Sequence, residues 1–264
     1  MLAFMGKNKG RSAFFEHYQN IYGERWEKLY QALLLEREQV SPEGLLQAYH
    51  LDAASLYPPK VLKLQPGEHA LDLCAAPGGK SLQLAVALNG HGRLVLNELS
   101  RARRNRLERV VGEHLDGPQQ AIVEIWGKDG SLLGMNCQHR FDAILVDAPC
   151  SSERHLLANE QELETWSPHR SKQLAHRQMA LLCSALELLR PGGRLVYSTC
   201  ALSPLENQDN VEKFLKKRSP KIKVQALDHG PGEPCGQGRL ILPDTCGGQG
   251  PMFTACFKKS EDVA

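Results

Sequence analysis

Two cysteines each follow an apolar run through a short turn: Ala148-Pro149-Cys150 after Phe141–Val146, and Ser198-Thr199-Cys200 after Leu195–Tyr197. Short, continuous apolar runs read as parallel strands buried on both faces. In an open α/β sheet, ligands sit in the crevice outside the carboxyl ends of the strands. Two thiols delivered to that edge have the means for covalent chemistry, in which a thiolate adds to an electrophilic carbon and later leaves. A third run, Ala70–Cys74, continues into Ala75-Ala76-Pro77-Gly78-Gly79-Lys80, a glycine turn that opens a helix. Exposed N–H groups and the positive end of a helix dipole at such a turn hold a nucleotide-like cofactor.

The turn has neither the G-x-G-x-x-G spacing nor the G-x-x-x-x-G-K-[ST] spacing, which argues against a dinucleotide and against ATP. Glu98 ends the second strand, 19 residues beyond Gly79, where an acid that binds ribose hydroxyls is expected. Lys128-Asp129-Gly130 follows the third strand and Asp147 ends the fourth. Each acid alone reads equally well as a helix cap or a turn residue. Four strand ends that each present a suitable group are a combination suited to S-adenosylmethionine. The turn amides would face its methionyl part, with Glu98 on the ribose and Asp129 toward the adenine.

Strands and helices alternate from residue 68 onward, the pattern of a doubly wound sheet. The predicted strands are 69–74, 93–97, 121–126, 141–147, 193–199, 239–242 and 252–257, the last two forming an antiparallel edge hairpin. Helices are expected near 79–89, 101–114, 171–190 and 204–217. The long one directs Leu174, Leu181, Leu182, Ala185, Leu188 and Leu189 at the sheet and stops at Pro191-Gly192-Gly193. Ser203-Pro204-Leu205-Glu206 reads as a capping box that starts a helix three residues beyond Cys200. Residues 12–50 read as helical, with a restart at Ser41-Pro42. The division expected is a small N-terminal helical extension over residues 1–60 and a catalytic domain over 61–264.

A chain of 264 residues, 42% apolar and 23% charged, is long enough for one large core with a small appendage. No apolar run approaches the roughly 18 residues that span a bilayer. Basic residues follow the apolar start Met1–Met5 instead of preceding it, which is the wrong order for a secretory signal. The protein is therefore expected to be soluble and cytoplasmic, with a mitochondrial address as the alternative. None of the eight cysteines has the C-x-x-C spacing of a zinc site, so no metal is expected. Cys183 and Cys256 read as small buried hydrophobes. A net charge of +2 does not announce a nucleic-acid binder, but two local clusters are basic. Arg101, Arg103, Arg104, Arg106 and Arg109 crowd one helix, and Lys213, Lys216, Lys217, Arg218, Lys221 and Lys223 form the other. Either reads equally well as a solvated face or as a phosphate contact.

Three stretches resemble one family in the right order: Leu71–Lys80, Val146–Ser151, and Tyr197–Ser203 with Glu206-Asn207. They are similar to the Sun (Fmu) family of RNA cytosine-5 methyltransferases, and the lean layout resembles the branch without an added RNA-binding domain. The resemblance spans about residues 12–258. It implies a class I methyltransferase fold, Rossmann-like, with a mostly parallel seven-stranded sheet between helices. It also implies a division of labour between the thiols: Cys200 as nucleophile, Cys150 helping to resolve the adduct, and Asp147 and Lys80 beside the target ring. By the same matching, Cys74, Ala75, Ala76, Pro77, Gly78, Gly79, Lys80, Glu98, Arg103, Asp129, Gly130 and Asp147 line the S-adenosylmethionine site. Glu98 stands where many relatives carry aspartate. The implied substrate is a cytosine in tRNA or rRNA, unstacked from its neighbours so that it reaches a buried thiol. RNA shape or a protein partner then sets substrate choice, with modest, salt-sensitive affinity for free RNA.

Three other readings compete. DNA cytosine-5 methyltransferases use a Pro-Cys thiol like Cys150 as nucleophile, but they do not need a downstream Ser-Thr-Cys. A silent RNA-binding scaffold would not need both cysteines and the glycine turn. A nicotinamide dehydrogenase needs the glycine fingerprint that this chain lacks.

Overall fold

A computed structural model of the chain describes residues 9–37, 39–136 and 140–261; Cys137 and the first eight residues lie outside this range. Two helices open it, Arg11–Tyr22 and Arg25–Leu34, broken where Gly23 takes a positive φ of 56°. Two-residue strands β1 (Gln39–Val40) and β2 (Leu51–Asp52) then pair antiparallel. The helical stretch expected over 12–50 thus ends at Leu34. The helix expected from Ser41-Pro42 is absent as well. The Ser41 hydroxyl accepts the Tyr49 N–H across a loop (3.0 Å) instead of capping a helix, and Gly44, at φ 79°, brings the loop against Val86.

The central sheet uses β3 (His69–Asp72), β4 (Arg93–Asn97), β5 (Val123–Trp126), β6 (Phe141–Asp147) and β7 (Leu189–Thr199) as its parallel part. To these it adds β8 (Ile222–Gln225), β9 (Glu233–Cys235), β10 (Gly238–Ile241) and β11 (Met252–Lys259), all antiparallel to their partners. The order is β5-β4-β3-β6-β7-β11-β10-β9, with β8 pairing β11 off this path. Nine strands therefore replace the seven expected. β8 and β9 are three or four residues long, and neither carries an apolar run that would mark it in the sequence.

Burial explains why the inner strands read so clearly. Leu71, Val95, Ile144, Leu145 and Val196 expose nothing to solvent, as both sheet faces are covered. The helices Gly79–Leu88 and Arg101–His114 cover the sheet, and so does His169–Leu188, which ends before Pro191-Gly192-Gly193; those three residues extend β7. The short capped helix Gly117–Ala121 delays β5 to Val123.

The capping box expected at 203–206 does not form. The helix starts at Gln208, and Asn207 at its N-cap donates to Ala201 O (2.8 Å) and is bonded to Thr199 Oγ1 (2.5 Å). Glu206 turns its side chain inward, toward Ser151 and Gln178.

Chain order reverses between β3 and β6: β4 and β5 continue to one side of β3, while β6 and β7 extend to the other. That reversal creates the crevice in which open α/β sheets hold their ligands.

Candidate active site

Asp147 ends β6 beside β3 and is paired in register with Ser198 of β7. The Ser198 hydroxyl donates to its Oδ1 (2.7 Å) and Lys80 Nζ to its Oδ2 (2.8 Å). Lys80 sits in the first turn of the helix Gly79–Leu88, so the glycine turn aims its ammonium back at β6. Burial opposes the charge on Lys80, but Asp147 outweighs it and raises the ammonium above its ordinary pKa.

One turn beyond Asp147 and Ser198, the two cysteines meet. Their sulfurs lie 3.1 Å apart, and Ser152 Oγ lies 3.0 Å from Cys200 Sγ and 3.3 Å from Cys150 Sγ. The two thiols are not equivalent. Hydrogen bonding from Cys150 lowers the Cys200 pKa against the opposing effect of burial, with further help from the Ser152 hydroxyl and the Lys80 charge. The same contact, with burial, raises Cys150. At the edge of the sheet there is thus one activated sulfur and one that holds its proton.

Two cavities open here and share a wall. One, of about 200 Å³, includes Cys200, Ser152, Arg154, His155 and Met252. The other, of about 280 Å³, includes Tyr49, Asp72, Ala75, Pro77 and Gly79. Arg37, Asp52, Ser55, Lys80 and Asp147 line both. Arg154 stiffens the first by donating to Gly248 O (2.6 Å) and Gly250 O (2.7 Å).

The residues of the second cavity fit S-adenosylmethionine. Asp72 is buried in its wall; Oδ2 accepts from Ser81 Oγ (2.7 Å), while Oδ1 has no hydrogen-bond partner among the described residues. Burial, against the Ser81 bond and with a contribution from Asp147, raises this carboxyl to about 7. A ligand ammonium would supply the missing partner. Gly78 holds a φ of 123°, and a Cβ there would lie 2.8 Å from Val110. A Cβ on Gly79 would come within 2.8 Å of the Tyr49 ring, so only glycine keeps this floor open.

Of the predicted cofactor residues, Ala75, Ala76, Pro77, Gly79, Lys80 and Asp147 line the second cavity. Cys74, Gly78, Glu98, Arg103, Asp129 and Gly130 lie outside both walls. Arg103 links two of these regions: it donates to Ala76 O (2.5 Å) and pairs with Glu98 Oε2 (3.1 Å). Glu98 Oε1 accepts the Ser100 N–H (2.9 Å). Asp129 is turned onto Ser131, whose hydroxyl and N–H hold its carboxyl below its ordinary pKa. Gly130 packs on Leu73 and Leu181, and burial raises the Cys74 thiol.

Arg37 and Tyr49 were not anticipated because the stretch 12–50 reads as helix, and Asp52, in the two-residue strand β2, carries no signal of its own. Asp72 was legible: an acid within the buried run Ala70–Cys74 needs a partner. Of the basic clusters, Arg103 and Arg104 are engaged by the backbone of the strand ends. Lys213, Lys216 and Lys217, with Lys172, His176 and Met179, line an open groove of about 830 Å³.

Residues 59–258 match the family described as 16S rRNA methyltransferase RsmB/F. The 5-cytosine rRNA methyltransferase NSUN4 of Xenopus laevis is 38% identical over 235 residues, covering 80% of this chain and 56% of that protein. The mitochondrial tRNA (cytosine(34)-C(5))-methyltransferase of Mus musculus is 37% identical over 236 residues, covering 85% of this chain and 66% of that protein. The chain thus spans between half and two thirds of the length of these relatives. The crystal structure of NSun6 from Pyrococcus horikoshii with SFG superposes with a TM-score of 0.70 at 26% identity, over 81% of this chain and 53% of that one. A methyltransferase homolog from the same organism reaches a TM-score of 0.76 at 23% identity, over 94% and 95% of the two chains, a likeness of fold.

Proposed function

Because this chain belongs to the RsmB/F methyltransferase family, we propose that it transfers a methyl group from S-adenosylmethionine to carbon 5 of a cytosine in rRNA or tRNA. The observation that carries this reading is the pair of thiols 3.1 Å apart, beside the Lys80–Asp147 wall shared by the two cavities. The cofactor belongs in the cavity floored by Gly79, the target base in the one that contains Cys200.

Carbon 5 of cytosine is too weak a nucleophile to take a methyl group unaided. Addition of the Cys200 thiolate to carbon 6 breaks the ring's 5,6 double bond and places electron density on carbon 5. Bound S-adenosylmethionine supplies the electrophilic methyl group. Asp147, fixed as an acceptor by Ser198 and Lys80, holds the amino edge of the base, and the Lys80 charge favours the thiolate at Cys200. Release needs a base for the carbon 5 proton, and Cys150 meets that need by a change of environment. Its pKa is raised chiefly by its contact with Cys200. Once the Cys200 sulfur is bonded to carbon 6 and uncharged, that influence falls away and the Cys150 thiol gives up its proton to solvent more easily. The Cys150 thiolate takes the proton, the carbon–sulfur bond breaks, and Cys200 leaves as thiolate.

The swapped assignment, with Cys150 as nucleophile, is disfavoured because the Ser152 hydroxyl lies nearer to Cys200 and Lys80 acts on Cys200. The lysine-lined groove offers a place for RNA phosphates, in addition to a protein partner that guides substrate choice. Relatives named as mitochondrial favour the mitochondrion over the cytoplasm. The test is methyl transfer from radiolabelled S-adenosylmethionine to total RNA, with the product nucleoside identified by mass spectrometry. The expected product is 5-methylcytidine, absent with Cys200→Ala; a different methylated nucleoside would overturn the reading.

A further inference from the structure

A second, buried constellation lies behind the thiols. Glu153 follows Cys150 by three residues and Glu206 follows Cys200 by six, and both carboxyls are fully buried. Among the described residues, no Lys, Arg or His lies within ion-pair distance of either. Glu153 Oε2 accepts the Leu202 N–H (2.8 Å), and its Oε1 accepts the Tyr18 hydroxyl and touches Ser151 Oγ. Glu206 Oε2 accepts the Ser151 N–H (3.0 Å) and Gln178 Nε2 (2.9 Å), while its Oε1 lies 2.6 Å from Ser151 Oγ.

Counting protons decides the state of this cluster. Ser151 Oγ touches a carboxyl oxygen on each side and has one proton to give. With both acids ionised, one contact would join two oxygens with no proton between them, in a site without a cation. One carboxyl must therefore be protonated. Apart from the shared Ser151 Oγ, each carboxyl accepts two donors; burial and the neighbouring Glu153 favour the proton on Glu206. On Glu206, Oε2 faces two N–H donors, so the proton sits on Oε1 and points at Ser151 Oγ.

We propose that Glu153 and Glu206 share one proton through Ser151, and that this shared-proton link is what holds the Cys150 loop and the Cys200 loop in register. Both are positioning residues, and their bearing on methyl transfer rests on the function proposed above. The groups that face the pair are consistent with this state. Tyr18 and Tyr22 come from the first helix, Cys150 from the β6 loop, Gln178 from the long helix, and Tyr197 from β7. Tyr22 donates to Leu202 O (2.8 Å) and Tyr197 to Glu206 O (2.6 Å), both on the Cys200 loop, while Gln178 Nε2 donates to Pro149 O (3.0 Å) just before Cys150, so both loops are also held at their main chain. Burial, then the Glu153 charge, raises Glu206 to about 7, against the hydrogen bonds from Ser151 and Gln178.

The link predicts an asymmetry between two isosteric changes. Glutamine at 206 reproduces the protonated acid: its carbonyl accepts the two N–H groups and its amide N–H donates to Ser151. Glutamine at 153 must turn an N–H against a donor. A proton held more tightly by the folded state stabilises it fully below the ordinary carboxylate pKa, and this is lost as pH rises through about 7. Thermal unfolding of wild type, E206Q and E153Q from about pH 5.5 to about pH 8.5 spans that window. The expected result is that E206Q folds and gains on wild type as pH rises through about 7, while E153Q is the least stable at every pH. Covalent RNA-adduct formation, read in the Cys150→Ala background where the adduct accumulates, should also be about tenfold or more slower with E153Q than with E206Q, a loss of the order a buried hydrogen bond carries. Equal destabilisation by both changes would overturn the shared proton, and so would a gap between wild type and E206Q that does not move with pH. If E153Q does not fold, the pH course of E206Q against wild type decides alone. An absence of RNA adducts in the Cys150→Ala background would instead count against the cytosine reading and leave the unfolding curves to judge the acid pair.

Discussion

At Cys200 the Ser152 hydroxyl, the Cys150 thiol and the Lys80 ammonium converge on a sulfur that burial alone would keep protonated. Cys150 experiences the same contact with the opposite sign. Limiting alkylation at about pH 7.5, below the ordinary thiol pKa, should therefore label Cys200 before Cys150, as read by peptide mass spectrometry. Labelling in the reverse order would support the swapped roles. Asp72 makes a separate prediction. Its carboxyl sits at about 7 with one oxygen lacking a partner, and pairing with the ammonium of S-adenosylmethionine requires it ionised. Cofactor affinity should rise between about pH 6 and about pH 8, with proton release on binding, and Asp72→Asn should flatten that rise. The variant should also bind roughly 10 to 100 times more weakly, the loss of one charge-assisted hydrogen bond, as measured by titration calorimetry.

The glycine turn shows how an element imposes residue chemistry. Gly78 at φ 123° packs against Val110 and Leu107 of the neighbouring helix, and it sets the start from which Lys80 reaches Asp147. Gly78→Ala adds backbone strain of about 1–3 kcal/mol and drives a Cβ into Val110. The urea midpoint should fall, and cofactor affinity with it. How much of this was legible depended on the element. The inner strands and the glycine turn declare themselves because a strand buried on both faces needs a run that is apolar at most positions, and Asp147, Cys150 and Cys200 come with them. The loop 41–50 misleads: Ser41-Pro42-Glu43 has the letters of a helix start, but the Ser41 hydroxyl is taken by Tyr49. Ser203–Glu206 misleads in the same way, since a capping glutamate and a buried one have the same spelling, and only the fold brings Ser151 within reach. The cost is specific: Arg37 and Tyr49 lie within the stretch 12–50 misread as helix, and Glu153 and Glu206 become a pair only in three dimensions.

Across the whole molecule, the N-terminal helices do more than cap the sheet. Phe14, Tyr18, Trp26 and Leu29 belong to the same buried cluster as Ile144, Val146 and Tyr197, and Tyr18 stacks on Trp26 and reaches Glu153. We propose that the N-terminal helices and the sheet domain fold as one cooperative unit. Trp26→Ala should then cost about 3–5 kcal/mol in a single unfolding transition, whereas a separate early transition would mark an independent extension. The same packing reaches the thiols, since Tyr22 of the first helix donates to Leu202 O, two residues beyond Cys200. The most direct measurement of the central claim is a denaturing gel of wild type, Cys150→Ala and Cys200→Ala after incubation with cellular RNA and S-adenosylmethionine. Accumulation of a protein–RNA adduct with Cys150→Ala and none with Cys200→Ala is the predicted result, because addition would proceed and release would stall. An adduct that persists in Cys200→Ala would contradict the account.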